Sequence, residues 1–293
     1  MKVAVARYPI ESPRDFEAFA GKQRRLLGEA ARAGARIAVL PEYLSLELAA
    51  AQPSAVRADL PASLAELQPL QANWHALFAG LARELGLSIQ AGTFLTGVGN
   101  GRYRNRAWWY APDGTRLYQD KLQLTGYEKQ LGVIDGGDAL NVFEIAPGLR
   151  AGIAICYDSE FPLPVRAQYE AGARLLIVPS STNTEAGATR VRVGCLARAL
   201  ENRMFVAKSV TAGLAPWSPV LGVNTGEATL YAPMDHGLPA DGIVARTQGG
   251  ETWAIAELAI ASLEATRTQA QVANDRDWPE QLRPSIQRAR LHR

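Results

Sequence analysis

The chain has 293 residues, 47% hydrophobic and 20% charged, with 31 Lys and Arg against 29 Asp and Glu for a formal net charge of +2. That length holds one large domain or two average ones and buries roughly 75% of the surface an unfolded chain exposes, so disorder, collagen and coiled coil are excluded. Charges are scattered except in the tail, which leaves no clustered positive surface for phosphates, and nucleic acid is not an expected partner.

The apolar run before Arg7 is too short for a signal-peptide core, and the longest uncharged stretch, Ser209 to Gly226, contains Pro216 and Pro219, which a spanning helix would not accept. The expectation is a soluble cytoplasmic protein with no membrane contact. Cys156 and Cys195 are the only cysteines, so a disulfide framework is not expected, and no Cys/His spacing suggests zinc.

In chain order, Lys2 to Tyr8 reads as a strand, Arg14 to Ala33 as a helix and Ala35 to Leu40 as a strand that ends in Pro41-Glu42. A helix within Pro61 to Leu85 and a strand from Leu87 to Phe94 follow. Arg104 to Tyr110 and Thr115 to Lys121, joined by Ala-Pro-Asp-Gly, read as a hairpin because Asp-Gly supplies the turn chemistry. Parallel crossovers together with a hairpin predict mixed pairing.

A weak repeat organises the rest. Gly34-Ala-Arg-Ile-Ala-Val-Leu-Pro-Glu42 recurs as Gly172-Ala-Arg-Leu-Leu-Ile-Val-Pro-Ser180, 138 residues later, and each copy follows an apolar strand and a helix. Two similar strand-helix-strand halves packed face to face are expected, with Gly152 to Tyr157 as the strand that matches Val3 to Tyr8. Crossover connections point such strands the same way, which would place Glu42, Cys156 and Ser180 at one rim, where open α/β sheets hold ligands.

Cys156 sits where the apolar Gly152-Ile-Ala-Ile gives way to the polar Tyr157-Asp158-Ser159-Glu160. From position alone it is either a small core residue or a nucleophile at a rim, whereas Cys195, in VRVGCLARAL, fits the core. A nucleophilic thiol needs a base, and none of His75, His236 and His292 follows an apolar strand. Glu42 does, and a carboxylate at the end of a buried strand is either a cap or functional. Lys121 closes the hairpin, with Glu128 seven residues later; alone this would read as a surface ion pair.

Taken together, LPEY around Glu42, DKLQLTGYE around Lys121 and Glu128, and GIAICYDSEFP around Cys156 resemble, in order and spacing, the three signature segments of the nitrilase (carbon-nitrogen hydrolase) superfamily. Gly172 to Ser180 and Arg198-Ala-Leu-Glu-Asn202 extend the resemblance, which covers roughly Met1 to Ala212. It implies an α/β fold, a four-layer α-β-β-α sandwich with two mixed sheets from two similar halves. A carbon-nitrogen hydrolase domain would span 1-265, and 266-293 would form a tail at a dimer contact or in solvent.

The resemblance makes Cys156 the nucleophile, Glu42 the general base and later acid, Lys121 the cation facing the oxyanion, and Glu128 the second glutamate that positions substrate and triad. It implies a thioester intermediate with neither metal nor cofactor, and a homodimer or higher homo-oligomer. Lys121 is expected to favour the thiolate, and the Tyr157 N–H to donate to the oxyanion. The stretch Ser180-Ser-Thr-Asn-Thr184 is expected to line the pocket, with Ser180, Thr182 and Asn183 as the substrate-binding residues and a cap and turn as the alternative. Cys156-Tyr-Asp158 replaces the Cys-Trp-Glu usual in true nitrilases and is similar to amidase and ω-amidase-like branches, so a small amide is the expected substrate. The alternatives are an N-carbamoyl compound, acyl transfer to an amine, or a non-catalytic scaffold. The loop Met234 to Gly242 is expected to be an exposed connection, with a place at the border of the pocket as the alternative.

Overall fold

A computed structural model describes residues 1–291; His292 and the last residue of the tail lie outside the described residues. Strand β1 (Lys2–Pro9) carries the pleat alternation of KVAVARYP into two different interiors. Ala4, Ala6 and Tyr8 enter one apolar cluster, Val3 and Val5 another. Helix α1 (Phe16–Arg32) begins where the Asp15 carboxylate accepts from Ala18 N at 2.7 Å, and Phe19, Gln23, Leu26, Leu27 and Ala30 recur on its buried face. Strand β2 (Ile37–Leu40), buried throughout, delivers the chain to Glu42.

The single helix expected within 61–85 is divided. After α2 (Ser54–Arg57) come α3 (Leu60–Leu67) and α4 (Gln71–Leu85), separated by a 3-10 turn at Gln68–Leu70. Pro69 has no N–H for an α-helical bond, and the Gln68 side chain ties the break to the next strand through Leu95 O at 3.0 Å and Gly97 N at 2.7 Å. That strand, β3 (Ser88–Gly99), pairs with β4 (Arg102–Tyr110) and β4 with β5 (Arg116–Asp120), both antiparallel, so the expected hairpin is present.

The connection to the second half holds α5 (Gly126–Leu131), β6 (Ile134–Asp135) and β7 (Val142–Ala146). Then β8 (Leu149–Ile153), α6 (Pro162–Glu170), β9 (Ala173–Ser180), α7 (Glu185–Asn202) and β10 (Phe205–Leu214) repeat the strand-helix-strand plan. Short elements β11 (Val223–Asn224), β12 (Thr229–Tyr231), β13 (Ile243–Arg246), β14 (Trp253–Glu257), α8 (Ser262–Ala265) and α9 (Asn274–Asp277) complete the chain.

The fold is mixed α/β with a large sheet, in hydrogen-bonded order β5-β4-β3-β2-β1-β10-β9-β8-β7. The repeat is visible in the register: Ile37 sits between Val3 and Ser88, and Leu175, 138 residues on, between Ala151 and Phe205. The first residues of β1 pair with β2 and β14, while Arg7, Tyr8 and Pro9 pair with β10 and join the two halves in one path. One apolar cluster packs α1 and α4 on the first half, with Trp74 against Phe19, Phe78 and Phe94. The other joins Val3, Val5, Ile37 and Val39 to Ile153, Leu175, Ile177 and Val206.

One boundary differs from the sequence expectation. Strand β8 ends at Ile153, so Cys156 does not end a strand; it opens a 3-10 turn, Cys156–Glu160. Within the tail, the Asp275 backbone carbonyl accepts from Arg166 of α6 at 2.9 Å, and its carboxylate accepts from Tyr169 and from Arg267 at 2.8 Å, which docks this point on the body of the fold. From Pro279 onward the described tail is exposed.

Gly92 is the backbone device that positions Glu42. Its φ is +64°, β3 bulges there, and a Cβ would stand 2.3 Å from Pro41 O. Gly92→Ala combines left-handed strain with a backbone clash, and is expected to cost about 2–4 kcal/mol in a denaturation experiment; wild-type stability would show that the two strands can part without cost.

Candidate active site

Four chain segments converge on one buried cluster. Glu42 lies just beyond β2, 1% exposed; Tyr43, with φ +60°, turns the chain sharply there, and its N–H donates to Thr93 Oγ1 at 2.7 Å. Lys121 follows β5, also 1% exposed. Its Nζ donates to Glu42 Oε1 at 2.8 Å and to Glu128 at 2.9 and 2.8 Å, so all three ammonium protons have carboxylate acceptors.

Glu128 occupies the first turn of α5, where it forms a capping box with Thr125. The Thr125 N–H donates to Glu128 Oε2 at 2.8 Å and the Glu128 N–H to Thr125 Oγ1 at 3.2 Å. The Tyr43 hydroxyl donates to Glu128 Oε1. Lys121 and Glu128 are therefore not a surface pair, and their pairing is with each other and Glu42 at once.

Cys156 stands at the start of its turn with φ +49°, a left-handed conformation uncommon outside glycine and one that concentrates at functional sites. The thiol donates to Ser181 O at 3.6 Å. Three contacts lock the turn. Asp158 accepts from Ile155 N at 3.1 Å within it, and from Leu122 N at 3.2 Å and Gln123 N at 2.7 Å in the segment that carries Lys121. Arg198 of α7 donates to Ser159 O at 3.0 Å while held bidentate by Glu201. Gly194 lets α7 approach so closely that a Cβ would lie 2.9 Å from Ser159 O.

The charges are set apart by their surroundings. Burial, aided by the negative charge of Glu128 and opposed by Lys121, raises the Glu42 pKa above the ordinary carboxylate value. Burial works against ionisation of Glu128 too, but Lys121, Tyr43 and the Thr125 N–H together hold its carboxyl below the usual range. Lys121, whose burial is outweighed by two carboxylates, is held firmly protonated. Burial, then Glu42, push the Cys156 thiol well above its ordinary value, and Lys121 only partly offsets them. Lys121 favours the thiolate, as expected, but burial and Glu42 outweigh it, so the site favours a neutral thiol beside a carboxylate with raised proton affinity. One carboxylate is poised to exchange a proton and the other is kept ionised.

The expected pocket residues fare unequally. Asn183 lines the cleft of about 280 Å³ above Cys156, with Tyr127, Thr125 and Val220. Ser180 does not: it is 1% exposed and its hydroxyl turns to Val178 O at 3.4 Å. Its neighbour Ser181 lines the cleft instead, because the strand ends at Ser180 and the pleat puts alternate side chains inside. Thr182 is tied away, donating to Thr225 O at 2.6 Å. The Tyr157 ring packs edge-on against Phe161 at 4.9 Å, while its backbone N–H, in the first turn, has no partner among the described residues.

Asn105 and Arg190 escaped sequence reading. Asn105 of β4, fully buried, donates to Glu42 Oε1 at 2.9 Å, and the Ser181 N–H donates to Glu42 Oε2 at 3.1 Å. No pattern in the hairpin marks Asn105 except a polar residue among apolar ones on the inward face. Arg190, on the exposed side of α7, also lines the cleft.

The remaining titratable residues lie elsewhere. His75 bonds the Tyr110 hydroxyl through Nδ1 at 2.6 Å, and burial pushes its pKa down to about 4. Cys195 is fully buried in α7, its thiol pushed up to about 11 by burial. The loop 234–242 is partly exposed, with Gly242 buried, and does not line the cleft; Asp235 within it pairs with Arg203 at the end of α7. Among the described residues no group of three or more His, Cys, Asp and Glu could hold a metal, and no helix is long and apolar enough to cross a membrane.

Because Asp158 joins the Cys156 turn to the Lys121 segment, Asp158→Asn, which turns a donor toward one of those N–H groups, is expected to lower stability by about 2 kcal/mol and kcat more than roughly tenfold. Melting and steady-state kinetics check this; a variant with unchanged kcat would show that the brace is dispensable.

Comparison with known proteins places this geometry. The chain is 29% identical over 248 residues to "Probable hydrolase YhcX" of Bacillus subtilis, an alignment that covers 84% of this chain and 47% of that protein, so the chain spans about half the length of that relative. It is 25% identical over 263 residues to "Omega-amidase NIT2-B" of Xenopus laevis, covering 87% of this chain and 88% of the other. Among solved structures, Saccharomyces cerevisiae Nit3, a member of branch 10 of the nitrilase superfamily, superposes with a TM-score of 0.70 at 20% identity, covering 94% of this chain and 96% of that one. An amidase from Nesterenkonia sp. superposes with a TM-score of 0.69 at 21% identity, covering 95% and 96%. The sequence profile of the carbon-nitrogen hydrolases matches residues 2–270, and the chain belongs to the carbon-nitrogen hydrolase family.

Proposed function

We propose that the protein hydrolyses the carbon–nitrogen bond of a small amide through a thioester on Cys156. The observation that carries the reading is the buried Lys121 ammonium bonded to both Glu42 and Glu128 beside the Cys156 turn. Family membership supports hydrolysis of a carbon–nitrogen bond, and the amidase and ω-amidase relatives support an amide over a nitrile.

In this reading the Cys156 thiol passes its proton to Glu42 as the sulfur attacks the amide carbon, since thiol and carboxylate are both shifted toward holding the proton. The oxyanion lies near the Lys121 charge and accepts from the unpartnered Tyr157 N–H. Because all three protons of Lys121 already have acceptors, the lysine contributes mainly as a fixed charge. Glu42 then protonates the leaving nitrogen, ammonia or an amine departs, and the carboxylate activates water against the thioester. Glu128 stays ionised throughout and keeps Lys121 in place.

Arg190 sets the far end of the substrate. It is the guanidinium that lines the cleft, so an amide with an anionic group away from the scissile bond is favoured, in keeping with the ω-amidase relatives. We read the architecture as the four-layer α-β-β-α sandwich, because residues of the first-half strands share one apolar cluster with those of the second half. We place the catalytic unit in 1–265 and the tail 266–293 at a subunit contact of a cytoplasmic homo-oligomer; the docking of Asp275 on α6 supports an ordered tail.

Three measurements test this. Ammonia release from matched amide and nitrile pairs is expected for the amide and lost in Cys156→Ala, with the Cys195→Ala rate unchanged; near-native turnover by Cys156→Ala, or equal nitrile turnover, would overturn the reading. Arg190→Gln is expected to raise KM about tenfold for acid-bearing amides and leave neutral amides alone. The acid limb of kcat/KM reports Glu42 and is expected above the usual carboxylate range of ~4.3. Glu128→Gln removes a negative charge that raises the Glu42 pKa, so the limb moves to lower pH as kcat falls; a limb moving upward would assign it to another group.

A further inference from the structure

A second cavity, of about 280 Å³, shares no lining residue with the cleft at Cys156. Between them run the paired backbones of Thr182 and Thr225, joined by the Thr182 hydroxyl to Thr225 O at 2.6 Å and by Thr225 N–H to Thr182 O at 2.8 Å. The cavity lies between α7, β10 and the loop that leads into β12.

Lys208 lines it from β10, where it is flanked by Val178 and Thr229 on the neighbouring strands and is only 2% exposed. Its ammonium has no hydrogen-bond or ion-pair partner among the described residues; its one aromatic neighbour is the Tyr231 ring, 5.8 Å from centroid to nitrogen. Two guanidinium groups share the cavity. Arg7 gives one hydrogen bond, to Gly226 O at 3.3 Å, and neither Arg7 nor Arg192 forms an ion pair among the described residues.

Two carboxylates are also present, in different conditions. Glu185 accepts from the Thr225 hydroxyl at 2.8 Å, whereas Glu227 Oε1 is buried with no partner. Glu227 and Lys208 stand too far apart to pair directly. An ammonium without a partner and a carboxylate with one unpartnered oxygen thus line one polar cavity, and polar groups so placed are ordinarily satisfied.

We propose that this cavity binds a small carboxylate that also donates a hydrogen bond, a hydroxy or amino acid, with Lys208 and Arg7 holding the carboxylate and Glu227 accepting from the donor. The volume, roughly nine times that of a water molecule, suits a ligand of that size. Three cations against two carboxylates favour one further carboxylate, with the ligand's donor directed to Glu227; a phosphate dianion would meet Glu185 and Glu227. The site is independent of the catalytic reading, because none of its residues touches Cys156, Glu42 or Lys121 by hydrogen bond.

Titration calorimetry on the full chain with L-serine, propionate and inorganic phosphate tests the proposal. L-Serine is expected to bind saturably, one molecule per chain, and propionate roughly tenfold more weakly. Lys208→Met is expected to weaken serine binding at least about tenfold and Lys208→Arg to restore most of it. Glu227→Gln is expected to abolish the advantage of serine over propionate. Amide turnover and melting temperature report folding of each variant, and Arg7→Gln gives the same reading if Lys208→Met fails to fold. Absence of saturable serine binding, wild-type affinity in Lys208→Met, phosphate as the tightest ligand, or loss of serine binding on alkylation of Cys156 would each overturn it.

Discussion

The Lys121 ammonium, buried between Glu42 and Glu128, is the interaction on which the rest of the site depends. Each of the three ions gives up several kcal/mol of hydration, and only mutual contact with full hydrogen bonding offsets this. The surrounding groups do that work: Asn105 and the Ser181 N–H on Glu42, Tyr43 and Thr125 on Glu128. Without the lysine, two carboxylates would face each other in a dry interior, an imbalance of the kind that costs ~3–5 kcal/mol. The fold must therefore hold the ends of β2, β5 and β9 and the first turn of α5 in register. The bulge at Gly92 and the capping box of α5 are local means to that end.

The Cys156 turn is held by a second, separate set of contacts. Its left-handed backbone is unfavourable by itself and persists because Asp158 binds it to the Lys121 segment, Arg198 holds Ser159 O and Gly194 lets α7 press against it. Asp158 is the junction of the two sets. Burial pushes its pKa up to about 6, a cost accepted where three backbone N–H groups need one acceptor. The proton chemistry then follows from burial: thiol and Glu42 both move toward the protonated side, and Glu128 moves away from it.

Much of this was legible in the chain. Strong patterns, such as the apolar runs before Glu42 and Cys156 and the Asp-Gly hairpin, located the elements, and the 138-residue repeat reappears in strand register. Motif order brought Glu42, Lys121, Glu128 and Cys156 together before any distance was known. What escaped reading is one-residue detail. Within the expected stretch Ser181 lines the cleft and Ser180 does not, because a single step along a strand reverses the side chain. Cys156 sits past its strand because the ladder ends with the Ala154 N–H on Ile177 O at 3.0 Å while the apolar pattern runs on through Ile155. Pro69 divides a helix whose periodicity runs through it. Asn105 and Arg190 join the cleft through tertiary packing that no local spacing encodes. Lys121 pulls the thiol toward the thiolate as expected, but burial and Glu42 act the other way and are stronger, a balance that depends on tertiary packing.

The most direct measurement is intact-mass analysis of the protein quenched in acid during amide turnover, followed by peptide mapping of the added mass. Thioester catalysis predicts an adduct equal to the acyl portion of the substrate, on the peptide that contains Cys156, absent from Cys156→Ala and discharged by water when substrate is exhausted. An adduct on the Cys195 peptide, or turnover of a slow amide with no acyl adduct on Cys156 at any quench time, would contradict it.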